Sequence, residues 1–207
     1  MIRPLFAVLA ASLLLPASAA DAEEVRYDFE DPKGVNGIAF INDSPLEPFV
    51  GFGKGVTGTV SFDPDAPGGF SGSISVAADT LQVTNEQMTQ HMLSDGWLAA
   101  SEGMTFDASF ESVEQVSTTD AGATVLEVKG TMTYGSIEVD KTYTIEATIQ
   151  KDGAAERGPK NRSGDLLVLR SDFTIDRTDF GIKPEMDGSE VAKKIYVMVR
   201  IVGYEAQ

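Results

Sequence analysis

From Val25 onward the chain alternates apolar and polar residues with a period of two, and Gly, Asp, Asn and Pro interrupt the runs at short intervals. Successive side chains face opposite sides only in an extended backbone, so this pattern restricts the fold to antiparallel sheet with one wet and one dry face. The longest run is 137–149. Ile137, Val139, Tyr143, Ile145, Ala147 and Ile149 share one face, with Lys141 the exception, while Glu138, Asp140, Thr142, Thr144, Glu146 and Thr148 share the other. Tyr134-Gly135-Ser136 joins this run to 124–133 as a hairpin, the glycine supplying the positive φ that a tight turn demands.

The same reading places strands over 25–29, 35–41, 49–54, 57–62, 73–78, 104–110, 166–175 and 194–204. Val60 and Phe62 share an inward face, as do Ile74 and Val76, and Met104 and Phe106. Asp63-Pro64-Asp65 stops one strand, because proline cannot donate to a ladder. Gly51, Gly53 and Gly55 alternate, which suits sharp curvature at a barrel corner. The segment 150–165, with Asp152-Gly153, Gly158-Pro159 and Ser163-Gly164 among charges, reads as a mobile loop. One stretch breaks the period: Thr84-Asn85-Glu86-Gln87 has the form of a capping box, and a short amphipathic helix carrying Met88, Met92 and Leu93 is expected near 85–94, stopped by Asp95-Gly96. In an all-β chain such a helix plugs a barrel end.

Composition narrows the chemistry. There is no cysteine, one histidine, and a formal net charge of −16. Disulfides and thiolate metal sites are excluded, and nucleic acid and anionic membrane surfaces are poor partners. Ser-His-Asp chemistry would have to use His91, which has no G-x-S-x-G nearby, and zinc would have only carboxylates and that imidazole. No phosphate-cradling glycine motif is present. The cations Lys141, Arg170 and Arg200 lie within apolar strands, where a catalytic reading competes with ordinary pairing to an acid. At the start, Arg3 precedes an apolar run over 5–15 and then Pro16-Ala17-Ser18-Ala19-Ala20. This is the form of a secretory leader over 1–20 cleaved after Ala19 or Ala20, too short to span a bilayer. It leaves one domain over 21–207 in the periplasm or outside the cell.

What remains is carbon: 11 Phe, seven Met and long Ile and Val faces. A packed core and a ligand cavity are equally consistent with it, since a barrel of about eight strands is just wide enough to be filled by side chains or to hold one small ligand.

Read in order, Val56-Thr57-Gly58-Thr59-Val60-Ser61-Phe62-Asp63-Pro64, Gln90-His91-Met92-Leu93-Ser94-Asp95-Gly96-Trp97-Leu98, Met104-Thr105-Phe106, Val128-Lys129-Gly130-Thr131-Met132-Thr133-Tyr134-Gly135, Arg177-Thr178-Asp179-Phe180-Gly181-Ile182 and a closing strand after Glu190-Val191 resemble the YceI family of exported lipocalin-like proteins. The resemblance implies an extended antiparallel barrel with one short helix. It also implies a cavity over a packed interior, holding a polyisoprenoid or another long amphiphile without catalysis and with no other cofactor. The pattern departs at Gly34-Val35-Asn36-Gly37-Ile38-Ala39-Phe40, where relatives carry His-Ser, and at 42–48, both near the expected mouth. Strand parity and the helix face then select Phe40, Phe52, Val60, Phe62, Ile74, Val76, Met88, Met92, Trp97, Met104, Phe106, Ile137, Val139 and Ile145 as lining residues. The expected partner is an apolar lipid-like molecule, with no stable membrane insertion. A homodimer through an exposed strand edge stays open.

Overall fold

The computed structural model describes residues 25–158 and 162–206, so the leader expected over 1–20 lies outside the described residues. In chain order the elements are β1 (Arg26–Asp28), β2 (Gly37–Asn42), β3 (Phe49–Gly53), β4 (Val56–Ser61), β5 (Ser71–Ala77), β6 (Gln82–Val83), α1 (Glu86–Leu93), β7 (Thr105–Thr118), β8 (Thr124–Tyr134), β9 (Ile137–Gln150), α2 (Gly153–Arg157), β10 (Leu166–Asp176) and β11 (Lys194–Glu205). Every pairing is antiparallel. The ring β1-β4-β5-β7-β8-β9-β10-β11 closes because Tyr27 and Asp28 pair with both Val60 and Thr59 of β4 and Glu205 and Tyr204 of β11. This is an eight-stranded closed barrel, as the alternation and the resemblance imply.

β2, β3 and β6 extend the wall at one end only. β11 gives its first half, Ile195 to Arg200, to β2 and its last residues to β1, and β3 then runs straight into β4 through a corner at Gly55, φ +64°. The alternate glycines serve curvature and close approach together: a Cβ on Gly51 would lie 2.0 Å from the ring of Phe40. That crowding also explains why Val50 and Phe52 face out. After Phe49 the inward positions of β3 are its glycines, which leave room for Phe40.

Two expectations need correction. β7 runs on to Thr118, well past the 110 at which the alternation stops, because register shifts between Phe110 and Ser112 and between Val113 and Gln115 break the period without ending the pairing. A bulge leaves one residue unpaired and bends its strand. The segment 150–165 is not a plain loop, since α2 forms one helical turn there. Arg157 at its end donates to both carboxylate oxygens of Asp31, at 2.7 and 2.9 Å, and to the Tyr204 hydroxyl at 2.6 Å.

The interior is divided along its length. Tyr27, Phe29, Val60, Phe62, Phe70, Leu126, Val128 and Leu167 pack the end bearing α2 and the β7–β8 turn. The other end, bearing α1 and the β8–β9 turn, is hollow. Core and cavity therefore both exist, one below the other.

Candidate ligand cavity

The hollow half encloses about 880 Å³, toward the upper end of the usual range for small-molecule sites. Its wall comes from residues of nine strands: Ile38 and Phe40 of β2, Phe49 of β3, Val56 of β4, Ile74 and Val76 of β5, Phe106 to Phe110 of β7, Met132 of β8, Tyr143 and Ile145 of β9, Leu169 to Ile175 of β10, and Ile195 to Ile201 of β11. The lid is α1. Asn85 caps it by accepting from the Met88 N–H at 2.9 Å, so Asn85, not Thr84, is the cap residue. Thr89 Oγ1 accepts from Val83 N at 3.0 Å and ties the helix to β6. This orientation turns Met88 and Met92 down onto the cavity and leaves Gln87, Gln90 and His91 exposed at its edge.

Beyond α1 the chain folds back, with Leu98 N donating to Met92 O and Ala100 N to Leu93 O. Tyr134, stacked on Phe106 at 4.0 Å, donates its hydroxyl to Leu98 O at 2.7 Å and pins this return. Trp97 Nε1–H donates to His91 Nε2 at 3.1 Å, so the one imidazole is engaged as an acceptor. Lys183 Nζ lies 5.6 Å from the Trp97 ring.

Two loops form the rest of the mouth. Asn42 is fully buried, and its Nδ2 donates to the carbonyls of Glu47 at 2.9 Å and Glu190 at 3.3 Å, while Ser44 Oγ also donates to Glu190 O at 2.6 Å. One amide thus holds side by side two acidic residues far apart in sequence, and both residues border the cavity and are exposed. Arg177 is 97 % buried. It spends its five N–H donors on the carbonyls of Ala192, Ile182, Lys183, Met186 and Val191, which fixes the loop that carries Glu190. No donor of that cation remains for a ligand.

Of the residues selected by parity, Phe40, Ile74, Val76, Met88, Met92, Trp97, Phe106 and Ile145 line this cavity. The others sit elsewhere. Val60 and Phe62 face inward as expected, but in the packed half. Met104, Ile137 and Val139 belong to a side cluster with Tyr134, Phe180 and Ile182, where the first half of β9 has left β10. Phe52 is on the outer surface, half exposed. The reading missed the alternate residues of β10 and β11, such as Phe173, Ile175, Val197 and Val199, whose parity was plain, and Phe49 and Leu81, whose positions only the tertiary structure sets.

The strand cations stand outside the cavity. Lys141 Nζ donates to Thr174 O at 2.9 Å, Arg170 pairs with Glu146 at 3.1 Å, and Arg200 grips both oxygens of Asp172 at 2.7 and 2.8 Å. Among the described residues no group of three or more His, Asp or Glu side chains is arranged to hold a metal ion, and no helix is long and apolar enough to cross a membrane.

A closed antiparallel barrel, hollow at one end and lined there by carbon, places this chain with lipocalin-like barrels. The model of the YceI-like domain matches residues 40–203, and the chain belongs to that family. Its fold is similar to that of BcnA from Burkholderia cenocepacia, at 16 % identity and a TM-score of 0.62 over 81 % of this chain and 95 % of that one. It is also similar to a YceI protein of Campylobacter jejuni, at 14 % identity and a TM-score of 0.58 over 76 % and 85 % of the two chains. A polyisoprenoid-binding domain from Saccharophagus degradans has a TM-score of 0.60 at 6 % identity, over 87 % of this chain and 98 % of that one. No curated protein matches the sequence.

Proposed function

We propose that the protein binds one long apolar amphiphile, tail inward and head at the mouth, and carries or sequesters it without chemical change. The observation that carries this reading is the hollow of about 880 Å³ walled by Ile, Val, Phe, Leu and Met side chains and open beside α1. Burying a chain there gains about 0.8 kcal/mol per CH₂. The similarity of fold to the polyisoprenoid-binding domain of Saccharophagus degradans supports the same ligand class. An isoprenoid quinone, a polyprenyl chain and a fatty amide all meet the requirement.

The mouth favours a neutral or cationic head. Glu47 and Glu190 edge it, the donors of Arg177 are consumed, and the whole chain carries a formal charge of −16. A carboxylate or phosphate would enter against that field. Export to the cell envelope belongs to the same proposal and rests on the leader pattern over 1–20.

Native mass spectrometry of the protein purified from envelope extracts, followed by solvent extraction of the bound fraction, tests both parts. The expected result is a chain processed after Ala19 or Ala20 with one apolar molecule bound. Added amphiphile at a hundred times its Kd should stabilise the fold by about 2.7 kcal/mol. Repeatedly empty protein with no thermal shift from any neutral amphiphile would defeat the reading.

A further inference from the structure

We infer that the ring of Phe110, with Tyr143 beside it, is the floor of the hollow and sets the length of apolar chain that the protein accepts. The inference rests on the binding function proposed above. Phe110 and Tyr143 line the cavity, whereas Phe70 and Phe62, packed behind Phe110, do not. The rings form an unbroken row across the barrel: Phe62 to Phe70 at 6.1 Å, Phe70 to Phe110 at 5.3 Å, Phe110 to Tyr143 at 5.4 Å and Tyr143 to Phe173 at 5.5 Å. Their tilted and edge-to-face contacts are the favoured aromatic geometries.

The backbone holds this row in place. Phe110 immediately precedes the first register shift of β7, so the strand bends just below its ring. Its partner Gly130 admits β7 very closely, since a Cβ there would fall 1.8 Å from Ser109 O. Tyr143 donates its hydroxyl to Thr131 O at 3.1 Å, anchoring the second ring to the same pair of strands. A chain reaching the floor cannot push it down, because Phe70, Phe62 and Val128 already fill the space beneath.

The strand residues lining β11 run from Ile195 to Ile201, which at about 3.3 Å per residue and a barrel tilt near 40° gives a hollow about 15 Å deep. Each further CH₂ inside that depth is worth about 0.8 kcal/mol, or about fourfold in affinity. Beyond it an added CH₂ stays in water at the mouth and adds nothing.

The test is a series of straight-chain primary alcohols of increasing length, each used to displace a fluorescent apolar dye from the purified protein. Affinity should rise about fourfold per carbon and then break to a plateau. In Phe110→Leu the break should move to longer chains and in Phe110→Trp to shorter ones. Phe106→Leu, which alters the wall near the mouth, should change affinity and leave the break where it is. Melting curves identify any variant that fails to fold, and opposite substitutions at one site leave one reading if the other is lost. A break at the same length in every protein, or none up to the longest chain, would overturn the floor while leaving the carrier function standing. Failure of every alcohol to displace the dye from the unaltered protein would overturn both.

Discussion

Glu47 and Glu190 are held together by the buried Asn42 amide, which donates to the backbone carbonyl of each, and by Ser44 Oγ, which accepts from Glu47 N and donates to Glu190 O. If they select the head of the ligand, Glu47→Gln with Glu190→Gln should narrow the preference for an alkyl ammonium over a carboxylate of equal chain length several-fold, in line with exposed charge pairs. Glu111→Gln with Asp120→Asn removes the same charge away from the mouth and should leave the preference largely intact. Competition binding at low and at physiological salt reads both, since salt screens the exposed carboxylates and should shrink the difference. At the closed end Asp31 has a different role. The Arg157 guanidinium beside it, helped by the backbone N–H groups of Val35 and Lys33, holds its carboxyl well below the usual carboxylate range. Its contribution to stability is complete above the unfolded-state value near 4 and is lost as the pH falls from there toward the folded-state value. Asp31→Asn should cost about 3 kcal/mol near neutrality. It should also flatten the fall in Tm between about pH 4 and pH 2, as thermal melts in a pH series would show. None of these partners is visible in the sequence, where Asp31 and Arg157 are two charges among many.

α1 covers the hollow beside its opening. It has eight residues, a length that is marginal for an isolated helix, and it is held by the Asn85 cap, by Thr89 on β6 and by Met88, Met92 and Leu93 against Phe40, Leu81, Val83 and Val197. Asn85→Ala removes the cap bond and should cost the helix about 1 kcal/mol, so release of bound amphiphile should quicken by up to about fivefold with little change in global Tm. Stopped-flow displacement measures that rate. The element itself was legible from its break in period, and its ends nearly so. The choice of cap residue was not, because Thr84 and Asn85 are both competent and only the backbone geometry distinguishes them.

Across the whole molecule the packed and hollow halves should differ in cooperativity. Amides of Leu126, Val128 and Leu167 sit among fully buried neighbours and should exchange hydrogen only by global unfolding. Those of α1 and of the mouth loop around Glu190 should exchange by local opening and gain protection when amphiphile binds. Hydrogen exchange with and without ligand tests this, and uniform protection along the barrel would contradict it. The contrast also marks what sequence alone could determine. Alternation is a property of neighbours, so strand direction, the sheet class, the helix and the inward face of Val60, Phe62, Ile74 and Ile145 could be read from residue order. Depth is not such a property. Whether an inward Phe lines a hollow or fills a core depends on which strands close beneath it, and that was decided by β1 joining β4 to β11 at one end while β2 and β3 widened the wall at the other. Phe62 and Phe106 have the same parity and chemistry, but only the closed barrel places one in the packed half behind Phe110 and the other on the wall of the hollow.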